Sequence, residues 1–485
     1  MLPTSCLIAV LAALVTSSSA VIIPRPAQVQ EHYVPSTLQL GETDQTALAS
    51  SVLAINDVLS VSALKEMDEH LKDYKGWNLE EKRLIAMEGE MGEEFKWVTE
   101  MDKVALRAKG TRFMDITDTP HLGMGNMLSP SGSSNKLYSY PSPSVNSTTH
   151  AYAISHLFPK LSTDTMKTNL MQFSGFRTRY YRSDTGKQSQ AWLLAKVQEY
   201  AAANPSITVK EHPHPWGQNS IVARIPIKAH GANKGKDDKK HKKKEESVVI
   251  IGAHQDSANM WPFLPAPGGM SRSRGQVHSC DNPSHVHCLL LPRVPGLFMS
   301  VTADDDGSGT TSILDAFRVL ASSPTYAPTA SAVEFHWYSA EEGGLLGSQA
   351  VAKVYEEEGV DVKGMIQMDM TAWVKKDTEE VVGVITDYVD PALSKFIADA
   401  VTAYCDIPPV PTKCGYACSD HASWSKAGYQ SAFSIESTFE NSNHAIHSTG
   451  DTIEHPEFSF DHMQEFSKLA IAFAVELGGV EVPKK

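Results

Sequence analysis

Cysteine is scarce in this chain, with six among 485 residues, and Cys6 falls inside an N-terminal apolar run. A fold held together by a disulfide framework is therefore excluded. Positive charge is also short: 43 Lys and Arg stand against 57 Asp and Glu, a formal net charge of −14. That balance disfavours a general nucleic-acid binder on electrostatic grounds. Apolar runs long enough to cross a bilayer, about 20 residues, are missing, which excludes a multi-span membrane protein. Gly (31), Pro (27) and a hydrophobic share of 41% are ordinary, so collagen and wholesale disorder are excluded too. The length would allow three domains of about 150 residues, although α/β enzymes commonly hold about 250 to 300 in one unit.

Leu7 to Val15 is uninterrupted apolar sequence and is followed by small residues ending Ser18-Ser19-Ala20. This is the pattern of a secretory signal, and cleavage after Ala20 is expected. An acidic, cysteine-free segment follows, with helical spacing through Val58, Val61, Leu64, Met67 and Leu71. Residues 21–88 are read as a removable pro-segment, with Lys82-Arg83 a dibasic processing candidate, and residues 89–485 as the folded domain. Asn146-Ser147-Thr148 is an N-glycosylation sequon in a Ser/Pro-rich stretch. Lys228 to Lys244 holds eight lysines; without interleaved aromatics, residues 229–246 read as a solvated loop rather than a heparin or nucleic-acid patch. Cys414 and Cys418 bracket Gly415-Tyr416-Ala417 and could close a small loop or remain unpaired, with Cys405 left over.

From residue 190 onward, strand-length apolar runs alternate with helical patterns. Val248 to Ala253, Ala332 to Tyr338, Gly364 to Met368, Val381 to Ile385 and Gln430 to Ile435 predict buried strands. Thr310 to Leu320 and Pro391 to Ala403 predict helices, as does the stripe Met463, Phe466, Leu469, Ala470, Phe473 and Leu477. The expected fold is α/β: three α/β/α layers around a mixed, mostly parallel sheet. Polar residues just after strands are then the first functional candidates.

Metal-type ligands stand at five such places: His254 and Asp256, Asp304-Asp305-Asp306, Glu341-Glu342, Asp369, and His447. So many carboxylates on one sheet edge would repel one another, a penalty that divalent cations remove. The mixed His/Asp/Glu set without thiolates suits catalytic Zn²⁺, and the surplus of carboxylates favours two ions. Strand alternation predicts that Glu341 and Glu342 face apart, one free to act as a base. Asp256, two residues from His254, is placed to orient its imidazole.

At these residues the chain resembles the secreted fungal leucine aminopeptidases and, more distantly, the bacterial two-zinc aminopeptidases. The likeness covers roughly residues 95 to 480, through GAHQDS, ADDDGSG, SAEEGGLLGS, QMDMTAW, CGYACSDHASW and HSTGDT. The resemblance implies a zinc exopeptidase domain with Asp304 bridging two zincs and His254, Asp369, Glu342 and His447 completing the set. It makes Glu341 the acid/base, Asp256 the orienter of His254, and Tyr416 a contact to the substrate carbonyl. It pairs Cys414 with Cys418 and places Met370, Phe439 and Ile446 around the first side chain. The implied protein is a secreted, monomeric aminopeptidase acting on peptides with a free N-terminus, with no nucleic-acid or membrane partner. The alternatives weighed are a glutaminyl-cyclase-like transferase with one zinc and an inactive binding module of the same fold.

One segment departs from that pattern. The similar sequences run PAPG directly into ADDDGSG, whereas here Gly268 is separated from Ala303 by residues 269–302. The insert holds His278, Cys280, His285, His287 and Cys288, which mimic a zinc finger. It reads as a translated intron: Gly269-Met270-Ser271 can encode a GTATGT donor and Thr302-Ala303 an AG acceptor, and excision restores the motif in frame.

Overall fold

The computed structural model describes residues 78, 80–89, 92–124, 137–143, 148–228, 246–259, 302–324, 326–448 and 450–481. The signal, most of the pro-segment, Asn146, nearly all of the lysine-rich loop and the insert up to Val301 lie outside these residues.

The described chain opens with a small sheet: β1 (Lys82–Gly89) and β2 (Gly92–Thr99) form an antiparallel hairpin, and β3 (Met114–Asp115) pairs with β1. Between them runs α1 (Glu100–Ala108), started by a capping box in which Thr99 and Asp102 each bond the other's backbone N–H. The expected domain boundary after residue 88 falls inside β1. Arg83 of this strand is buried, with Nε 2.8 Å from Asp115 and Nη2 2.6 Å from Asp118.

After α2 (Thr148–Leu157), α3 (Thr163–Phe173) and α4 (Asp184–Ala201) comes the main sheet. Its strands are β4 (Thr208–His212), β5 (Ser220–Ile225), β6 (Val248–His254), β7 (Ala332–Tyr338), β8 (Val362–Met368), β9 (Val382–Ile385), β10 (Pro409–Thr412) and β11 (Ser431–Ile435). They lie in the order β10-β9-β11-β8-β6-β7-β5-β4. The centre, β11, β8, β6 and β7, is parallel, while β4 and β5 add antiparallel strands at one edge and β9 runs antiparallel to β11. The five strands expected from the sequence are all present, as are the helices α5 (Gly307–Ser322), α7 (Pro391–Tyr404) and α9 (Phe460–Gly478). Two further helices, α6 (Leu346–Glu358) and α8 (His421–Lys426), complete the chain.

β6 is buried along its whole length, so apolar side chains serve both faces. Val249, Ile251 and Ala253 join a core with Phe317 of α5, Phe396 of α7 and Phe473 of α9. Val248 and Ile250 point the other way, towards Val351 of α6 and Trp424 of α8. Helices thus cover both faces, and the fold is the three-layer α/β/α arrangement expected. Because β6, β7 and β8 are adjacent and parallel, their carboxyl ends open onto one edge.

Candidate metal centre

Each central strand delivers a polar side chain at that edge. His254 is the last residue of β6, Asp369 follows β8 directly, and Glu341-Glu342 lie in the turn after β7. The aspartate triplet leads into α5, and His447 stands in the loop after β11. Glu341 and Glu342 are therefore separated by a turn and not by strand alternation: Ala340 and Leu345 take left-handed conformations at φ 57° and 61°.

Two groups of ligand-type atoms result. His254, Asp306 and Asp369 form one, and Asp305, Glu342 and His447 the other, each with its atoms within 4.8 Å of one another. Asp305 stands between them, its Oδ1 3.2 Å from Nε2 of His254 and its Oδ2 2.9 Å from Nε2 of His447. Glu342 Oε2 lies 3.1 Å from the same His447 nitrogen, and Asp369 Oδ1 lies 3.5 Å from His254 Nε2.

The place between the two groups, expected of Asp304, is held by Asp305. Asp304 points away: its Oδ1 accepts from Ser308 Oγ at 2.9 Å and Ala372 N at 3.2 Å, and its Oδ2 from Asn443 Nδ2 at 3.1 Å. The reason is the turn into α5, which aims three consecutive aspartates in three directions. Asp306 is the N-cap, taking the N–H of Gly309 at 2.8 Å on Oδ1 and that of His254 at 3.0 Å on Oδ2. A Cβ at Gly309 would meet Asp306 Oδ1 and Met368 O at 2.3 Å, so only glycine lets the helix begin this close to β8. All three aspartates stand among the ligand candidates of the sequence, and the resemblance singles out Asp304; the N-cap pattern before Gly-Ser-Gly is the signal that marks Asp306.

Asp256 has two duties. Its carboxylate lies 3.6 Å from His254 Nδ1, whose nearer partner is the Asp256 backbone carbonyl at 3.2 Å. The same carboxylate accepts the N–H groups of Glu341 at 3.0 Å and Glu342 at 3.3 Å, tying the β7 turn to the end of β6. Glu341 extends its carboxylate to within 4.0 Å of His254 Nε2. Met370, Phe439 and Ile446 pack in one apolar cluster with the disulfide-bonded Cys414 and Cys418. Tyr416, on the disulfide loop, has its ring 6.3 Å from that of Phe439 and lines a cleft with Glu341 and Glu342.

The electrostatics are those of a cation site. Burial opposes protonation of His254, yet Asp369, Glu341 and Asp305 hold its pKa well above the ordinary value. His447, also opposed by burial, is pushed up to about 9 by Glu342 and Asp305. Burial, together with Glu342, Asp420 and Asp369, drives Glu341 well above the carboxylate range despite His254. Nε2 of His254 and Oδ1 of Asp369 are buried without a hydrogen bond, which is costly unless another group takes them. Two cations would satisfy these atoms and replace the protons that the imidazoles otherwise hold.

The N-terminal segment reaches the same cleft. Arg107 of α1 faces Glu342 and Glu341, and Arg112 lies 5.8 Å over the Tyr416 ring; both line the cleft.

Comparison with known proteins agrees with this geometry. The model of peptidase family M28 matches residues 238–474. Leucine aminopeptidase 1 of Coccidioides posadasii is 41% identical over 447 residues, covering 89% of this chain and 99% of that protein. The chain belongs to peptidase family M28. Leucine aminopeptidase 1 of Leptosphaeria maculans is 46% identical over 392 residues, 79% of this chain and 86% of that protein. Among solved structures, the LapA aminopeptidase of Legionella pneumophila superposes with a TM-score of 0.62 at 26% identity, covering 83% of this M28 chain and 99% of that one.

Proposed function

We propose that the protein is a secreted two-zinc aminopeptidase that removes N-terminal residues, preferentially leucine and other apolar ones, from peptides. The observation that carries the reading is Asp305 reaching two imidazoles, each beside a further carboxylate. His254 and Asp369 would hold one ion, Glu342 and His447 the other, and Asp305 both. Asp306, although near His254, already takes three backbone N–H groups, from His254, Gly309 and Met370, and supports the site from behind. Zinc bound there supplies Lewis acidity and brings the pKa of a water down to about 7.

The chain's own groups do the rest. Glu341 makes no hydrogen bond through its side chain among the described residues, and its raised pKa makes its ionised carboxylate a stronger base, so in that form it can take a proton from water and return it to the leaving amine. Asp256 fixes the turn that aims it. Tyr416, which lines the cleft with Glu341, would donate to the carbonyl oxygen as charge develops there. The Met370, Phe439 and Ile446 cluster offers an apolar wall for the first side chain. The second group, Glu342 and His447, favours hydrolysis over the one-zinc cyclase reading, and the retained Glu341 argues against an inactive module. Secretion is supported by the N-terminal apolar run and by a disulfide, which persists in oxidising compartments.

Hydrolysis of a leucyl chromogenic amide should stop on chelation and return with zinc. Activity indifferent to metal removal overturns the reading. Arg107 and Arg112, which line the cleft beside Glu341 and Tyr416, support a precursor form whose removable part extends past Phe113. Limited proteolysis of the full chain should then raise turnover, and an unchanged rate after cleavage in residues 125–136 excludes it.

A further inference from the structure

A guanidinium lies fully buried behind the candidate metal centre. Arg179, between α3 and α4, is 1% exposed. Its Nε donates to the backbone carbonyl of Gln255 at 3.1 Å, next to His254. Its Nη1 and Nη2 donate to Oγ1 of Thr302 at 2.9 Å and to the Thr302 carbonyl at 3.0 Å, just before the aspartate triplet. The guanidinium stacks over Phe173 at 4.5 Å from the ring centre. The backbone of Arg179 is itself fixed, by Ser257 Oγ accepting its N–H at 3.3 Å and Gln218 Nε2 donating to its carbonyl at 2.9 Å.

These acceptors are all neutral, yet a buried charge costs several kcal/mol unless compensated. Burial pushes the guanidinium pKa down to about 10, and Asp451, Asp306, Asp305 and Asp256 offset that cost in part at longer range. Asp451 completes the frame from the opposite side, its carboxylate accepting the N–H groups of Asp304 at 3.0 Å and Asp305 at 3.3 Å. The ligands His254 and Asp305 come from chain segments separated by residues 255–304; among the described residues no strand pairing sets the distance between them, and the segments otherwise meet through His254 N–H to Asp306 Oδ2 at 3.0 Å and Thr310 Oγ1 to the His254 carbonyl at 2.7 Å. Arg179 bonds both segments through one rigid planar fork, a geometry that the single ammonium of lysine cannot reproduce.

We infer that Arg179 is a positioning residue for the two-cation site, clamping the segment after β6 to the segment before α5 so that His254 and Asp305 keep the separation that metal binding needs. The inference rests on the metallohydrolase reading above. It predicts that loss of the fork is felt by the metal rather than by the substrate.

The test uses the full-length protein with Arg179→Lys, which keeps the charge, and Arg179→Gln, which keeps two donors without it. Zinc affinity is measured by competition with a chromogenic chelator, beside the melting temperature of the metal-free form and kcat and KM on a leucyl amide. The expected result for Arg179→Lys is a 10- to 100-fold weaker zinc affinity, the usual range for a lost supporting contact, with kcat down and KM nearly unchanged. If Arg179→Gln fails to fold, Arg179→Lys alone decides. A lysine variant that binds zinc as tightly as the parent and turns over at the parental rate overturns the clamp, whatever its melting temperature. A parent that binds zinc but cleaves no amide defeats only the peptidase reading, since weaker zinc binding in the variant still supports the clamp. A parent that binds no zinc defeats both.

Discussion

Oδ2 of Asp305 lies 2.9 Å from Nε2 of His447, and this contact joins two elements far apart in sequence, the entry to α5 and the loop after β11. The other oxygen of the same carboxylate faces His254. A single aspartate therefore links both ligand groups, while its neighbour Asp304 is spent on Ser308, Ala372 and Asn443.

The two aspartates should separate cleanly on substitution. Asp305→Asn is expected to lower zinc content from two ions towards one or none, with kcat reduced at least about 100-fold. Asp304→Asn should keep both ions and lose stability instead, by about 1–3 kcal/mol for a disturbed buried acceptor. Metal analysis of both purified variants decides, and a zinc-free Asp304→Asn beside a fully loaded Asp305→Asn would reverse the assignment.

Glu341 touches neither ligand group closely, at 4.0 Å from His254 Nε2, yet it is the more exposed of the two glutamates lining the cleft beside Tyr416. Glu341→Gln should bind zinc normally while kcat falls by about 100- to 10,000-fold, the range for a lost proton-transfer group. A variant with full turnover would remove Glu341 from the mechanism.

Much of this was legible in the sequence because buried parallel strands announce themselves as continuous apolar runs, and His254 and Asp369 end such runs. The triplet Asp304-Asp305-Asp306 was not, since within a turn neither period two nor period 3.6 tells which carboxylate faces the site. The hairpin of β1 and β2 was missed for another reason. Leu84 and Ala86 are buried, but the surrounding acids gave the segment the composition of a detachable leader. Its packing depends on Arg83, Lys103 and Asp115 meeting in space, and no local pattern encodes that.

His421 offers a pH test on a group outside the proposed ligand set. The ring stacks on Phe433 at 5.0 Å, neither nitrogen has a hydrogen-bond partner, and burial pushes its pKa down from 6.5 to about 3. Between these values the unfolded chain binds a proton that the folded chain refuses, so stability rises with pH across the window. At pH 5 the cost is about 2 kcal/mol relative to pH 7, from 1.5 pH units below the unfolded value. His421→Phe should therefore flatten the acid side of the stability profile between pH 6.5 and 4 in chemical denaturation. Parallel profiles for parent and variant would show that the imidazole takes up its proton in the folded state.

Thr302 bears on the segment that interrupts the family pattern. It adopts φ 51°, a left-handed conformation that costs a β-branched residue about 1–3 kcal/mol and glycine almost nothing. If residues 269–302 are a translated intron, the residue preceding Ala303 becomes Gly268, the type that this backbone position favours. The Arg179 bond to the carbonyl at this position would survive the exchange, and only the bond to the threonine hydroxyl would be lost. We therefore expect the transcript to lack these codons, and a protein joining Gly268 to Ala303 to be at least as stable and active as the full chain. Thr302→Gly in the full chain isolates the backbone contribution: it should leave zinc content intact and change stability by no more than about 1 kcal/mol, strain relief offsetting the lost hydroxyl bond. A mature transcript that retains the codons, with a deletion protein that cannot bind zinc, would make the insert a genuine part of the enzyme.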